Sequence, residues 1–214
     1  MDVVVIGGHG KVGLRLLRLL AERGEGAHGV IRNPDHAADL EAVGAEAVLC
    51  DIEADDADLA GAVAGADAVV FAAGAGPGSG TERKETVDRG GAVKLIDAAK
   101  ASGIARYVMV SSMGADSAPP GDEVFAVYLR AKAAADEALV ASGLEHTIVR
   151  PGSLTDDPGT GRIEAAESLG RRGGIPRDDV AATLLAVLDE PSTVGRTFEI
   201  LSGEEEIAAA LRNL

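Results

Sequence analysis

Aromatic side chains make up only 2% of this 214-residue chain, and tryptophan is missing altogether. A core of packed rings is excluded, so Ala, Val, Leu and Ile must fill the interior, and a hydrophobic content of 46% suffices. Such side chains suit a parallel sheet buried under Ala-rich helices. Cysteine occurs once, as Cys50, which excludes an internal disulfide and a cysteine-based metal cluster. It ends the apolar run Ala47-Val48-Leu49 and reads as a buried, inert thiol. The histidines, His9, His28, His36 and His146, are scattered, with no Glu or Cys at ligand spacing, so no metal site is expected. Positive charge is also scarce. Lys and Arg total 20 against 35 Asp and Glu, a formal net charge of −15. Such a surface favours solubility and repels nucleic acid and anionic membranes, so neither is an expected partner. No apolar run approaches the ~20 residues of a bilayer crossing. Met1-Asp2 opens straight into a strand pattern, which reads as a chain without a leader and places it in the cytoplasm.

What is present is an alternation. Short β-branched runs at 3–6, 27–31, 47–50, 67–71, 106–110 and 146–149 are separated by helical patterns at 11–23, 34–43, 55–63, 81–102 and 123–142. Gly24, Gly44, Gly103 and Gly143 close four of those helices. Six β–α repeats imply an α/β fold: a Rossmann-type, doubly wound parallel sheet with helices on both faces and right-handed crossovers. Residues 151–176 break the rhythm with Gly, Pro and Arg. A helix at 178–188, a strand at 197–201 and a helix from Glu204 complete the chain. The length fits a single domain, 1–214, in which 151–176 and the C-terminal elements form a small segment covering substrate.

The first strand runs into Gly7-Gly8-His9-Gly10-Lys11-Val12-Gly13, which satisfies both G-x-G-x-x-G and G-x-x-G-x-x-G. Chemistry needs glycine here three times: for the sharp strand-to-helix turn, for backbone approach to a pyrophosphate, and for close helix–sheet packing. The pyrophosphate then meets the positive helix N-terminus. With 28 glycines in the chain the pattern alone is weak, and its place between first strand and first helix makes it specific. An NAD site usually carries an acid ~20 residues further on. Here Arg32-Asn33 stands at the end of the second strand, and a guanidinium suits a ribose 2′-phosphate. NADP is the expected cofactor, with Lys11 as a second cation; Asp35 keeps NAD possible. Asp51-Ile52 after the third strand and Ala72-Ala73-Gly74 after the fourth extend the same sheet edge toward adenine and ribose. The glycines from Gly74 to Gly80 read as a mobile loop or lid. Residues 81–85, Asp156-Asp157, Asp178-Asp179 and Glu204-Glu205-Glu206 read as solvated charge, turns and helix starts.

Tyr128 and Lys132 stand four apart in a predicted helix and share a face. A carbonyl that accepts hydride builds negative charge on oxygen, which a phenol can protonate with help from a neighbouring ammonium. Lys132 can also hold the nicotinamide ribose, and Ser111-Ser112 at the end of the fifth strand can hold the carbonyl oxygen. The alternative is a structural Tyr beside a surface Lys.

Together these residues resemble the short-chain dehydrogenase/reductase superfamily in its atypical NAD(P)H-binding branch, the NAD-dependent epimerase/dehydratase-like or NmrA-like proteins. The pieces are Gly7-x-x-Gly10-x-x-Gly13, Val30-Ile31-Arg32-Asn33, Asp51-Ile52, Val110-Ser111-Ser112-Met113, Tyr128-x-x-x-Lys132 and Val149-Arg150-Pro151-Gly152. The resemblance implies that Ser112 (or Ser111), Tyr128 and Lys132 occupy catalytic positions. It implies that Pro151, Gly152, Ser153 and Leu154 lie against the nicotinamide end, and it adds Ser111 to the cofactor contacts. The expectation is an NADP-dependent oxidoreductase passing hydride to a small carbonyl, quinone or flavin-like acceptor, acting as monomer or homodimer. Two rivals are a non-catalytic NADP(H) sensor, against which Tyr128 and Lys132 speak, and a nucleotide-sugar epimerase, for which 151–176 offers little cover.

Overall fold

The computed structural model describes residues 1–76 and 78–214. Seven parallel strands run β3 (Glu46–Leu49), β2 (Gly26–Ile31), β1 (Asp2–Ile6), β4 (Ala68–Phe71), β5 (Arg106–Val110), β6 (Glu145–Pro151) and β10 (Arg196–Ser202). The order reverses at β1, so the crevice between β1 and β4 opens at their carboxyl ends, where doubly wound sheets take ligands. Beyond β10 the sheet continues with β8 (Arg162–Ala166) and β11 (Glu205–Glu206), each antiparallel to its neighbour. A separate parallel pair joins β7 (Ser153–Thr155) to β9 (Gly174–Pro176).

Strand side chains alternate between two cores. Val3 and Val5 of β1 face Leu16, Leu17 and Leu20 of α1 (Lys11–Glu22) and Val180 and Leu184 of α7 (Arg177–Asp189). Val4 and Ile6 face the opposite core with Leu95 and Ile96 of α5 (Ala92–Ala101) and Leu139 of α6 (Val124–Ala141). The shorter helix α2 (Ala37–Glu41) packs on β3, α3 (Leu59–Val63) packs on α5, and α8 (Ile207–Arg212) packs on α7. Tyr107 is wholly buried, its hydroxyl donating to the Ala92 carbonyl at 3.2 Å, and burial raises its phenol well above the ordinary range. No helix of the described residues is long and apolar enough to cross a membrane.

Four sequence expectations need correction. The helix expected over 81–102 begins as one turn of α4 (Thr81–Arg83), continues as a π-helical segment over Lys84–Gly91, and only then becomes α5. Lys84 and Asp88, four residues apart on that segment, share its inner face and are both buried. The helix expected over 55–63 is only α3, started by Asp58, whose carboxylate accepts the Gly61 N–H at 2.8 Å. Glu205 and Glu206 form β11 rather than a helical first turn, and residues 151–176 contain three strands. Cys50 lies just past β3 and is half-buried rather than buried; burial, then the charges of Asp58 and Asp51, push its thiol up. Pro77, within the expected lid, lies outside the described residues.

Candidate active site

The turn from β1 to α1 is tight. Gly7 adopts φ +84°, and a Cβ there would stand 2.7 Å from Ala73 Cα. A Cβ on Gly8 would stand 2.7 Å from Gly29 Cα, and one on Gly13 would strike the Gly7 carbonyl oxygen. Gly10 is the N-cap of α1 and has no side chain to cap it, and the first turn carries no acid. The N–H groups that open a helix have no partner within it, so this end is left positive and open to an anion. Gly13→Ala is expected to cost about 1–3 kcal/mol by overpacking and to loosen dinucleotide binding, as thermal melting and calorimetric titration would show.

A cleft of about 370 Å³ opens beside this turn. It gathers Gly7, His9 and Gly10, Arg32, Asp51 and Ile52, and Ala72, Ala73 and Gly74, from the ends of four strands. Gly8, Val12 and Gly13 are buried behind it as scaffold, and Asn33 caps the following turn by accepting the Asp35 N–H at 3.1 Å. Lys11 is not a second cation beside Arg32. It reaches across to Asp156 at 2.6 Å, which also holds Arg177 at 2.8 Å, and the carboxyl of Asp156 is held below the usual range by Lys11 first. His9 stacks on His36 at 3.6 Å and meets Asp39 at 2.8 Å.

Two residues that sequence reasoning passed over close the far end of this cleft. Glu53 binds Arg83 at 2.6 Å and Arg32 at 3.1 Å, and accepts the Thr86 hydroxyl at 2.8 Å. The Arg83 hydrogen bond is the largest influence holding the Glu53 carboxyl below its ordinary range. Thus Arg32 has a partner guanidinium, and both already grip an oxyanion. Nothing local signals this pairing, because thirty residues separate Glu53 from Arg83.

The second cleft, about 700 Å³, lies at the ends of β5 and β6. Ser112, Tyr128, Pro151, Gly152, Ser153 and Leu154 all line it. Ser111 does not: it is buried, and its hydroxyl donates to Asp136 at 2.8 Å. Asp136 also holds Arg150 at 3.0 Å, and burial is the main cause that lifts its carboxyl above the usual range. The consecutive serines therefore divide, one into an interior network and one onto the cleft wall.

Lys132 is buried at the ends of β4 and β5. Its ammonium donates to the Val110 carbonyl at 3.1 Å, stands 5.6 Å from the Phe71 ring centre and 6.0 Å from that of Tyr128. Asp88, fully buried on the π-helical segment, faces it at 3.3 Å, and its other oxygen accepts the Ala75 N–H at 3.2 Å. A second ammonium, Lys84, lies 5.4 Å from the Tyr128 ring centre and donates to the Gly76 carbonyl at 2.9 Å. Two ammonium groups thus lie within 6.0 Å of the Tyr128 ring centre. Lys84 and Asp88 are tied to the loop that follows β4 (Ala68–Phe71).

The NAD(P)H-binding family model matches residues 7–191. Over 215 residues the chain is 43% identical to a Bacillus subtilis (strain 168) protein named "Uncharacterized sugar epimerase YhfK", covering all of both chains. A solved Bacillus halodurans structure, provisionally described as an NAD-dependent epimerase/dehydratase, matches with a TM-score of 0.94 and 38% identity, again over all of both chains. ChuY, an anaerobillin reductase from Escherichia coli O157:H7, matches with a TM-score of 0.80 and 26% identity, over 96% of this chain and 99% of that one.

Proposed function

The chain belongs to the NAD(P)H-binding family, within the short-chain dehydrogenase/reductase-like branch, and on that premise we propose that it is an NADP(H)-dependent reductase. The observation that carries the reading is the place of Tyr128: a phenol on the wall of an open cleft at the ends of β5 and β6, with two buried ammonium groups 5.4 and 6.0 Å from its ring centre. The residues of the first cleft suit a dinucleotide. The N-terminus of α1 takes its pyrophosphate, Asp51 and Ile52 its adenine, and Arg32 with Arg83 a 2′-phosphate. When bound, the nicotinamide supplies hydride. The protein's own part is to hold the acceptor's carbonyl oxygen with the Ser112 hydroxyl and give it a proton from the Tyr128 hydroxyl. Lys132 lends positive charge to the phenolate that remains.

NADP is preferred over NAD because the end of β2 (Gly26–Ile31) is followed by a guanidinium rather than an acid. Glu53 sets the condition: a 2′-phosphate must displace it from both arginines. Arg32→Ala is expected to weaken NADPH about 10–100-fold and leave NADH unchanged; Glu53→Gln is expected to tighten NADPH. Calorimetric titration checks both. Should Glu53→Gln loosen NADH instead, Glu53 is a ribose ligand and the cofactor is NAD.

A second reading, the epimerase named for the Bacillus relatives, predicts a dinucleotide that is retained and not consumed. Oxidation of NADPH at 340 nm against a panel of quinones, flavins and small carbonyls separates the two. Tight binding without turnover on any acceptor favours the epimerase or a sensor.

A further inference from the structure

Besides Tyr128, the second cleft is lined by Ser168 and by Gly170 to Gly173, from the segment between β8 (Arg162–Ala166) and β9 (Gly174–Pro176). In a chain with a net charge of −15, this segment carries two adjacent arginines, Arg171 and Arg172. Both are exposed at the rim. Arg171 already grips a carboxylate, that of Glu164. Among the described residues no carboxylate ion-pairs with Arg172. The acids that share the cleft are engaged elsewhere: Asp116 holds Arg150 at 3.1 Å, and buried Glu199 accepts the Leu169 N–H at 2.7 Å.

Other residues lining the cleft are of another kind. Phe125 is 58% exposed, in a chain with only three phenylalanines, and its ring lies 6.0 Å from that of Tyr128, 29° from coplanar. Leu154 is 37% exposed on the cleft floor. Large apolar side chains left in water at a cleft mouth mark a surface that a ligand covers. The two kinds of lining together suit one molecule: a flat, apolar body against Phe125 and Leu154, with an acidic group that meets Arg171 and Arg172.

We infer that the acceptor is an anionic, ring-containing carbonyl or quinone-type molecule whose carboxylate or phosphate is held by Arg171 and Arg172. The inference rests on the reading that the cleft beside Tyr128 is the substrate site. The arginine pair selects the acceptor by charge and orients its body over Tyr128; it takes no part in proton transfer. Guanidinium groups serve both carboxylate and phosphate by paired hydrogen bonds.

The test is calorimetric titration of the protein saturated with NADP⁺, which needs no turnover. The probes are two matched pairs. One is a naphthoquinone bearing a carboxymethyl arm against its methyl ester. The other is riboflavin 5′-phosphate against riboflavin. At least one acid is expected to bind about tenfold more tightly than its neutral partner. That advantage should shrink with added salt and vanish in Arg171→Ala/Arg172→Ala. Which acid wins tells carboxylate from phosphate. Arg171→Lys/Arg172→Lys, which keeps the charge, should retain part of the advantage. Equal affinity of acid and neutral forms, an advantage that survives the double alanine variant, or failure of all four probes to bind overturns the inference. Since NADP⁺ binding is measured first, its loss would instead count against the dinucleotide reading.

Discussion

Tyr128→Phe is expected to lower kcat for NADPH-dependent reduction about 10²–10⁴-fold while leaving the dissociation constant of NADPH unchanged. The change deletes one oxygen. The ring that remains keeps its place beside Phe125 and beneath the ammonium groups of Lys84 and Lys132, so the melting temperature should hold. What disappears is the proton donor for the acceptor's oxygen. No other phenol can replace it, because the remaining tyrosine, Tyr107, is buried with its hydroxyl bound to the Ala92 carbonyl. Ser112 stays on the cleft wall, so acceptor binding and KM should change little. A loss in kcat without a loss in KM is the mark of an interaction made only in the transition state. Steady-state rates and NADPH titration of the same preparation decide the matter. A Tyr128→Phe variant with the rate of the parent protein would sink the assignment of Tyr128 as proton donor.

The parts of this site that were legible in the sequence are those whose logic is local. The glycine turn is a run of seven residues, and each glycine meets a backbone neighbour that its spacing anticipates. Tyr128 and Lys132 need only one helical turn to share a face. The parallel, doubly wound sheet follows from the alternation of strand and helix patterns. Features that rest on distant partners were not legible. Arg83 sits in a charged stretch that reads as solvated, and only the return of the chain after β3 (Glu46–Leu49) brings Glu53 to it. Lys11 reads as a phosphate ligand until the segment after β7 (Ser153–Thr155) delivers Asp156 to it. The strands within 151–176 are short and carry few β-branched residues; Arg162–Ala166 becomes a strand because β10 (Arg196–Ser202) offers an open edge. The Asp88–Lys132 pair escapes a local reading for the same reason, since 44 residues separate its partners. Asp88 shares its face with buried Val87, Gly91, Ala92 and Leu95, but its counter-ion comes from α6.

That buried pair makes the second large expectation. Lys132→Met should destabilise the fold by about 3–5 kcal/mol, because it leaves Asp88 as a buried carboxylate without its ammonium. For a chain of this size the melting temperature should then fall roughly 6–20 °C. Methionine fills much of the volume of the lysine stem, so the loss reports charge more than packing. The same asymmetry supplies the control. Asp88→Asn/Lys132→Met removes both charges and keeps an amide oxygen to accept the Ala75 N–H, which Asp88 now binds at 3.2 Å. Most of the lost stability should return in the double variant. Activity should not return, since the phenolate of Tyr128 would still lack the ammonium at its ring. The cycle therefore separates two roles of one lysine: counter-ion to Asp88, read by thermal melting, and support for proton transfer, read by kcat. If the single variant melts with the parent protein, the Asp88–Lys132 pair contributes nothing to the fold. If the double variant recovers its rate as well as its stability, Lys132 is structural, and the charge that tunes Tyr128 must come from Lys84, 5.4 Å from the same ring.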